Sequence, residues 1–313
     1  MTAGITINRA MSAREWMLLL ALAVLWGSAY PFAAFAVREI PPLTLSLLRV
    51  GGAAIALHIV MRVMGVALPR TLEGWAMLTV QGFLNNIFPF TLINWGQQYV
   101  PSGVASVLIA ATPFFTVIAA HYLTQDERIT PSRMLGVIAG IAGVATMIGA
   151  AALGAFGIDA LGELAMIGAA LSYAAAGIFG RRAGARGIAP LAISTGMLTM
   201  STLIMLPVAM IVDRPWTLPM PSLPAWLAVA AIALPSTALG YLIFFRVLAS
   251  AGATNIMLVT FLQPIVAIVL GIALLGERLE PRHFAGIALI AFGLAAIDGR
   301  LWRWFKTTMT RDK

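Results

Sequence analysis

Ten apolar runs of about the length needed to cross a bilayer follow one another along this chain, and they decide what it can become. A spanning helix needs about 20 consecutive apolar residues. Runs that meet this fall at about 15–37, 43–64, 74–96, 102–123, 132–152, 160–181, 189–212, 223–248, 253–275 and 282–300. Lipid offers no partner to backbone N–H and C=O groups, so each run must close its own hydrogen bonds as a helix. The weak ten-residue alternation of a membrane β-barrel is absent. Sixty per cent of the 313 residues are apolar and ten per cent charged, which leaves too little polar surface to wrap a water-soluble globule. The run behind Arg9 and Arg14, from Trp16 to Val37, is too long for a signal peptide and reads as a retained first helix.

The net charge of +8 would suggest nucleic acid in a soluble chain, but these basic residues form short clusters between apolar runs. They carry orientation instead. With the N-terminus inside, the inner flanks hold Arg9, Arg14, Arg62, Arg70, Arg128, Arg133, Arg181, Arg182, Arg186, Arg300, Arg303, Lys306, Arg311 and Lys313. The outer flanks hold only Arg38, Arg214, Arg278 and Arg282, so both termini are expected in the cytoplasm. The chain has no cysteine, which removes thiolate catalysis, thiolate metal sites and disulfides.

The two halves repeat. Glu127-Arg128-Ile129-Thr130-Pro131 corresponds to Glu277-Arg278-Leu279-Glu280-Pro281 at an offset of 150, as do Gly136 to Gly286 and Gly143 to Gly293. At an offset of 151, Trp75 corresponds to Trp226 and Pro113 to Pro264. The expectation is an all-α membrane protein of ten transmembrane helices, built from five-helix repeats at residues 1–153 and 154–313. Five is odd, so the second repeat enters the membrane inverted, the mark of alternating-access transporters.

At this point the sequence resembles the drug/metabolite transporter superfamily, and within it the EamA-type exporters. The resemblance rests on Leu25-Trp26-Gly27-Ser28, on Leu48-Arg49 with the small residues after it, and on Leu275-Gly276-Glu277-Arg278-Leu279 with Pro281 and Gly286. The first repeat departs from it, with Gln125-Asp126 where the second has Leu275-Gly276. In size, tails and aromatic content the chain is most similar to bacterial amino-acid exporters. The resemblance implies a ten-helix inverted-repeat fold, a central cavity and export across the inner membrane.

A solute path needs polar groups and broken helices at mid-membrane. Trp26 and Tyr30 share a face of the first span, with Pro31 beside them. Gln81, Asn85, Phe88 and Trp95 form a stripe on the third, where Asn86, Thr91, Asn94 and Pro89 add polarity and a break. Ser236 is the repeat equivalent of Asn85, on a span that also carries Pro235, Gly240 and Tyr241. Gln263-Pro264 answers Thr112-Pro113, with Ser106 and Asn255 nearby, and Tyr173 stands on the sixth span. The expected solute-binding set is therefore Trp26, Tyr30, Gln81, Asn85, Phe88, Ser106, Tyr173, Ser236, Tyr241 and Gln263. For each, helix packing is the competing role, and for Trp95 an interfacial belt. The Ser and Thr residues of the seventh span read as structural.

Arg49 lies about seven residues, roughly 10 Å, below the outer end of its span. Snorkelling to the interface is the favoured reading, an anchor for a solute carboxylate or for helix-end carbonyls the other. Glu277 reads as an end-of-helix structural group. Gly136, Gly140, Gly143, Gly286 and Gly293 read as helix-packing positions in a monomer, with a dimer face as the alternative.

No acidic residue sits at the centre of a span, and His58, His121 and His283 are scattered. Coupling through a buried carboxylate is hard to place, which favours a facilitator. No paired Lys and Arg mark a phosphate site. No catalytic motif, metal-ligand cluster or cofactor fingerprint appears. The expected partners are a small neutral solute, amino acids first and nucleobases, nucleosides or drugs second, and the bilayer, with no nucleic acid. A membrane-embedded enzyme and a structural subunit are the other classes considered.

Overall fold

A computed structural model of the protein describes residues 11–123, 129–149 and 157–298, with the side chains of 182–185 and 253–254 excepted. Every regular element among these residues is helical. In chain order the spans are α1 (Ala13–Ala36), α2 (Pro42–Val63), α3 (Leu72–Gly96), α4 (Ser102–Leu123), α5 (Pro131–Ile148), α6 (Ile158–Ala185), α7 (Pro190–Val212), α8 (Leu223–Ala251), α9 (Val259–Leu275) and α10 (Pro281–Asp298). Nine are long and apolar enough to cross a membrane; α9 is shorter, at 17 residues. That is still at the low end of the roughly 17–25 residues a bilayer requires. Arg9, Gln125 to Arg128, the repeat junction at 153–154 and the tail from Arg300 to Lys313 lie outside the described residues.

Pro89, Pro113 and Pro235 break their spans, whereas Pro31, Pro207 and Pro264 lie within helices that continue. A proline removes an i→i−4 donor and its ring crowds the carbonyl one turn back. Ahead of Pro89, α3 widens into a π-turn over Phe83–Ile87, and the Phe88 amide bonds the Phe83 carbonyl five residues back. In α8 the π-turn runs over Ile232–Leu239 around Pro235, and Thr237 Oγ1 donates to the Ile232 carbonyl at 2.8 Å. Ahead of Pro113, α4 interrupts at Ala110–Ala111. The ninth run was expected as one helix over 253–275. It starts instead as a single turn, Ala253–Ile256, after Gly252 in a positive-φ conformation, and restarts at Val259.

The spans pack in a definite pattern. α1 lies against α8 and α9, and α6 against α3 and α4. α2 packs on α7 and α5 on α10. The last pair is set by glycine. A Cβ on Gly136 would stand 2.6 Å from the Gly293 carbonyl oxygen, and one on Gly143 would stand 2.9 Å from that of Gly286. Gly140 gives its space to the buried Phe114 ring of α4. Small residues permit this approach where no hydrophobic force separates helices from lipid. The outer surface is apolar: Ile55 is 67 % exposed and Val269 58 % exposed.

At one end of the bundle three carboxylates hold the starts of other spans. Glu39, after α1, accepts from the Ser222 amide (2.6 Å) and hydroxyl (2.8 Å) ahead of α8. Asp213, after α7, accepts from the Thr44 amide (2.7 Å) and hydroxyl (2.8 Å) in α2. Glu277, between α9 and α10, accepts from the Ser102 amide (2.7 Å) and hydroxyl (2.9 Å) and the Gly103 amide (3.2 Å) in α4. Each places negative charge on free helix-terminal amides. The Ser222 amide, then its hydroxyl, holds the Glu39 carboxyl below the usual carboxylate range. At the far end of α3, Arg186 pairs with Glu73 at 2.6 Å.

Two glycine substitutions should move stability in opposite directions. Gly136→Ala presses a methyl group onto the α10 backbone and should cost about 1–3 kcal/mol. Gly177→Ala, in open space on α6, should instead stabilise by up to about 1 kcal/mol. Thermal unfolding in detergent micelles reads both, and a rise for Gly136→Ala would refute the close α5–α10 contact.

Candidate functional site

The π-turns of α3 and α8 bring amide and hydroxyl groups to the middle of the bundle. Asn85 Nδ2 donates to the Tyr241 hydroxyl at 2.7 Å and lies 3.9 Å from the Met197 sulfur. Tyr241 donates onward to Asn86 Oδ1 at 3.2 Å, and Asn86 Nδ2 to Ser201 Oγ at 3.2 Å. One polar chain therefore links α3, α8 and α7. Its members satisfy one another, as buried amides in an apolar medium must.

Arg49 sits beside this chain and corrects the reading that favoured an interfacial position. It is only partly exposed. Its Nε donates to Thr237 Oγ1 at 3.0 Å, and its guanidinium carbon stands 3.7 Å from the centre of the Phe90 ring. The hydroxyl groups of Tyr173, Tyr241 and Tyr30 lie within its electrostatic range. Thr237 can hold Arg49 because the π-turn gives its hydroxyl proton a carbonyl five residues back, leaving its lone pairs free.

Of the ten sequence-derived residues, Tyr30, Tyr173 and Tyr241 lie within electrostatic range of Arg49, and Asn85 is bonded to Tyr241. Trp26 lies alongside, stacked on Phe244 with ring centres 5.4 Å apart and its indole nitrogen over Gly240. Ser236 is fully buried next to Thr237, and its hydroxyl has no protein partner. Gln263 is buried, with its backbone carbonyl packed against Gly27 of α1. Gln81 turns toward Gly180 of α6, its carbonyl oxygen unpartnered. Ser106 is buried and donates to the Gly103 carbonyl of its own helix at 2.7 Å. Phe88 stands apart: it is 42 % exposed and stacks on Phe83, which is exposed too. The π-turn accounts for this, because five residues then complete one turn.

Phe90 and Thr237 went unnoticed in the sequence. The one signal pointing to them was a lone charge in a span. Glu163, buried near the start of α6 within electrostatic range of Arg282, has no sequence signal of its own. On α7, Ser194, Thr195, Thr199, Ser201 and Thr202 each donate to a carbonyl three or four residues back, the structural role expected. Glu277 likewise caps α4.

Toward the carboxylate-clasped end, a cavity of about 430 Å³ is lined by residues that include Arg38, Gln97, Tyr99 and Glu277. Gln97 joins it to the site: its Nε2 donates to the Tyr30 carbonyl at 2.9 Å, while its Oε1 has no protein partner. Arg49, Tyr173 and Tyr241 do not line this cavity. Among the described residues no group of three His, Cys, Asp or Glu could hold a metal ion.

Residues 14–149 and 160–297 each match the model of the EamA-like transporter family. An uncharacterized transporter of Bacillus subtilis, YvbV, is 27 % identical over 291 residues, covering 91 % of this chain and 92 % of that protein. A probable amino-acid metabolite efflux pump of Escherichia coli is 27 % identical over 303 residues, covering 94 % and 98 %. A crystal structure with 18 % sequence identity superposes with a TM-score of 0.64 over 92 % of this chain and 98 % of the other. At that identity the likeness speaks for the fold alone.

Removing the centre of the polar chain tests its weight. Asn86→Leu deletes the bonds to Ser201 and from Tyr241, and hydrogen bonds between membrane helices are worth about 0.6–1.7 kcal/mol. A matching fall in stability by detergent unfolding is expected, and no fall would show the chain to be energetically idle.

Proposed function

The chain belongs to the EamA-like transporter family, and on that premise we propose that it exports small neutral solutes, foremost amino acids with aromatic and other apolar side chains. The observation that carries this is the Asn85–Tyr241–Asn86–Ser201 chain at mid-span, flanked by the rings of Tyr30, Tyr173 and Phe90. Amides and hydroxyls there can exchange bonds with a polar backbone, and the rings can hold an apolar side chain. The E. coli relative named for amino-acid metabolite efflux supports the same solute class.

The route is alternating access between two inverted five-helix repeats, with both termini in the cytoplasm of a bacterium and the spans in its inner membrane. Three facts support the repeat. The family model matches twice. The π-turns around Asn85 and Ser236 fall at equivalent positions, 151 residues apart. The packing of α1 on α8 and α9 has its counterpart in α6 on α3 and α4. In this orientation the carboxylate-clasped end faces outward. Glu39, Asp213 and Glu277 tie the end of α1 to α8, the end of α7 to α2 and the α9–α10 turn to α4 there, and must loosen when the site opens outward.

With no acid at mid-span, export runs down the solute gradient without strict ion coupling. Proteoliposomes given a panel of labelled amino acids, with and without a pH gradient, test each part. Saturable uptake of neutral amino acids is expected, unaffected by the gradient. Asn85→Ala should lower it by about fivefold to tenfold, one hydrogen bond's worth. Obligate dependence on the gradient would sink the facilitator mechanism. Failure to move any amino acid would sink the solute class.

A further inference from the structure

Arg49 is a charge with an incomplete environment. Its Nε is used by Thr237 and one face of its guanidinium by Phe90. The described ion pairs, Arg186 with Glu73 and Arg282 with Glu280, leave it out. The four Nη hydrogens remain, in the fork geometry that matches a carboxylate with two parallel bonds. A partly buried guanidinium in an apolar medium loses hydration and needs an anion in exchange. Asp213, the carboxylate bonded to α2, is already spent on Thr44. The other polar groups within its electrostatic range are the phenols of Tyr173, Tyr241 and Tyr30, which carry no charge at neutral pH.

We propose that Arg49 is the carboxylate-binding residue of the solute site, and that the solute is a monocarboxylate with an apolar or aromatic body. The proposal deepens the reading of this chain as a solute exporter and rests on it. The carboxylate takes the Nη edge of Arg49. The body lies against Phe90, with Tyr30, Tyr173 and Tyr241 within electrostatic range of the same guanidinium. Asn85, half-exposed and bonded to Tyr241, is placed to meet a second polar group on the solute. No acid among the described residues joins this cluster, so an ammonium group has no matching counter-charge. The carboxylate is the feature recognised, and an amine on the solute is tolerated rather than required. Thr237 acts through Arg49, as a positioning residue that fixes its Nε edge and so aims the fork.

The test uses the full chain in detergent or nanodiscs, with thermal stabilisation as the readout. Four probes share one aromatic body: phenylalanine, 3-phenylpropanoate, phenylalaninamide and phenethylamine. The two carboxylates should stabilise the protein with apparent affinities at least about tenfold tighter than the amide or the amine, a modest part of what a site built for one polar group can discriminate. Arg49→Gln should abolish that difference, and Arg49→Lys should retain part of it as a point charge. If Arg49→Gln does not fold, Arg49→Lys and the four probes on the unaltered chain still decide. Equal response to carboxylate and amide overturns the proposal, as does a carboxylate preference that survives Arg49→Gln. A protein that answers to neither carboxylate overturns it too. A response to 3-phenylpropanoate but not to phenylalanine upholds the carboxylate site while removing amino acids as the solute class.

Discussion

In hydrocarbon, every backbone amide must find its partner inside the protein, and the rest of this structure follows from where that rule is strained. Most of each span obeys it as plain α-helix. Pro89, Pro113 and Pro235 cannot, because each lacks a donor and crowds a carbonyl one turn back. The chain answers by widening α3 and α8 into π-turns and by interrupting α4. These are the places where side chains leave the regular 3.6-residue pattern. They are also where Asn85, Asn86, Ser236 and Thr237 stand. At Thr237 the two meet directly, its hydroxyl donating to the Ile232 carbonyl within the π-turn.

The second constraint is contact between helices that gain nothing from water. Gly136, Gly143, Gly286 and Gly293 let α5 and α10 touch backbone to backbone, and Gly27 lets α1 do the same against α9. Such contacts are rigid. They leave the centre of the bundle, where tyrosine rings and amides meet, as the region whose packing is set by exchangeable polar bonds. Carboxylates on helix-terminal amides fix one end. These bonds are directional and lie near the surface, where water can replace them at little cost.

Arg49 gives this centre its chemical character. A guanidinium stacked on Phe90 and held by Thr237 imposes a positive potential on surroundings otherwise made of uncharged groups. The low dielectric around it strengthens that field. The phenol groups of Tyr30, Tyr173 and Tyr241 lie within electrostatic range of the charge but bring no counter-ion to it. Glu163, buried near Arg282 in another part of the bundle, belongs to a separate electrostatic neighbourhood.

The sequence by itself determined the class of molecule. Run lengths and composition required apolar helices, and the spans fall where hydropathy places them, within a few residues. The glycine stripe of α5 and α10 and the end-of-helix role of Glu277 were legible too, because each is a local pattern with one physical use. Asn85, Tyr30, Tyr173 and Tyr241 could be picked out because a polar or amphipathic side chain in lipid needs a reason. What sequence could not supply was direction. Arg49 at a given depth can snorkel outward or turn inward, and only the position of Phe90 and Thr237, 41 and 188 residues away in the chain, settles which. Phe88 shows the same limit from the other side: on an ideal helix it shares the face of Asn85, but the π-turn between them rotates it onto the exposed surface. Side-chain direction in a broken helix depends on which backbone bonds the neighbouring spans allow, and that is a property of the assembled bundle.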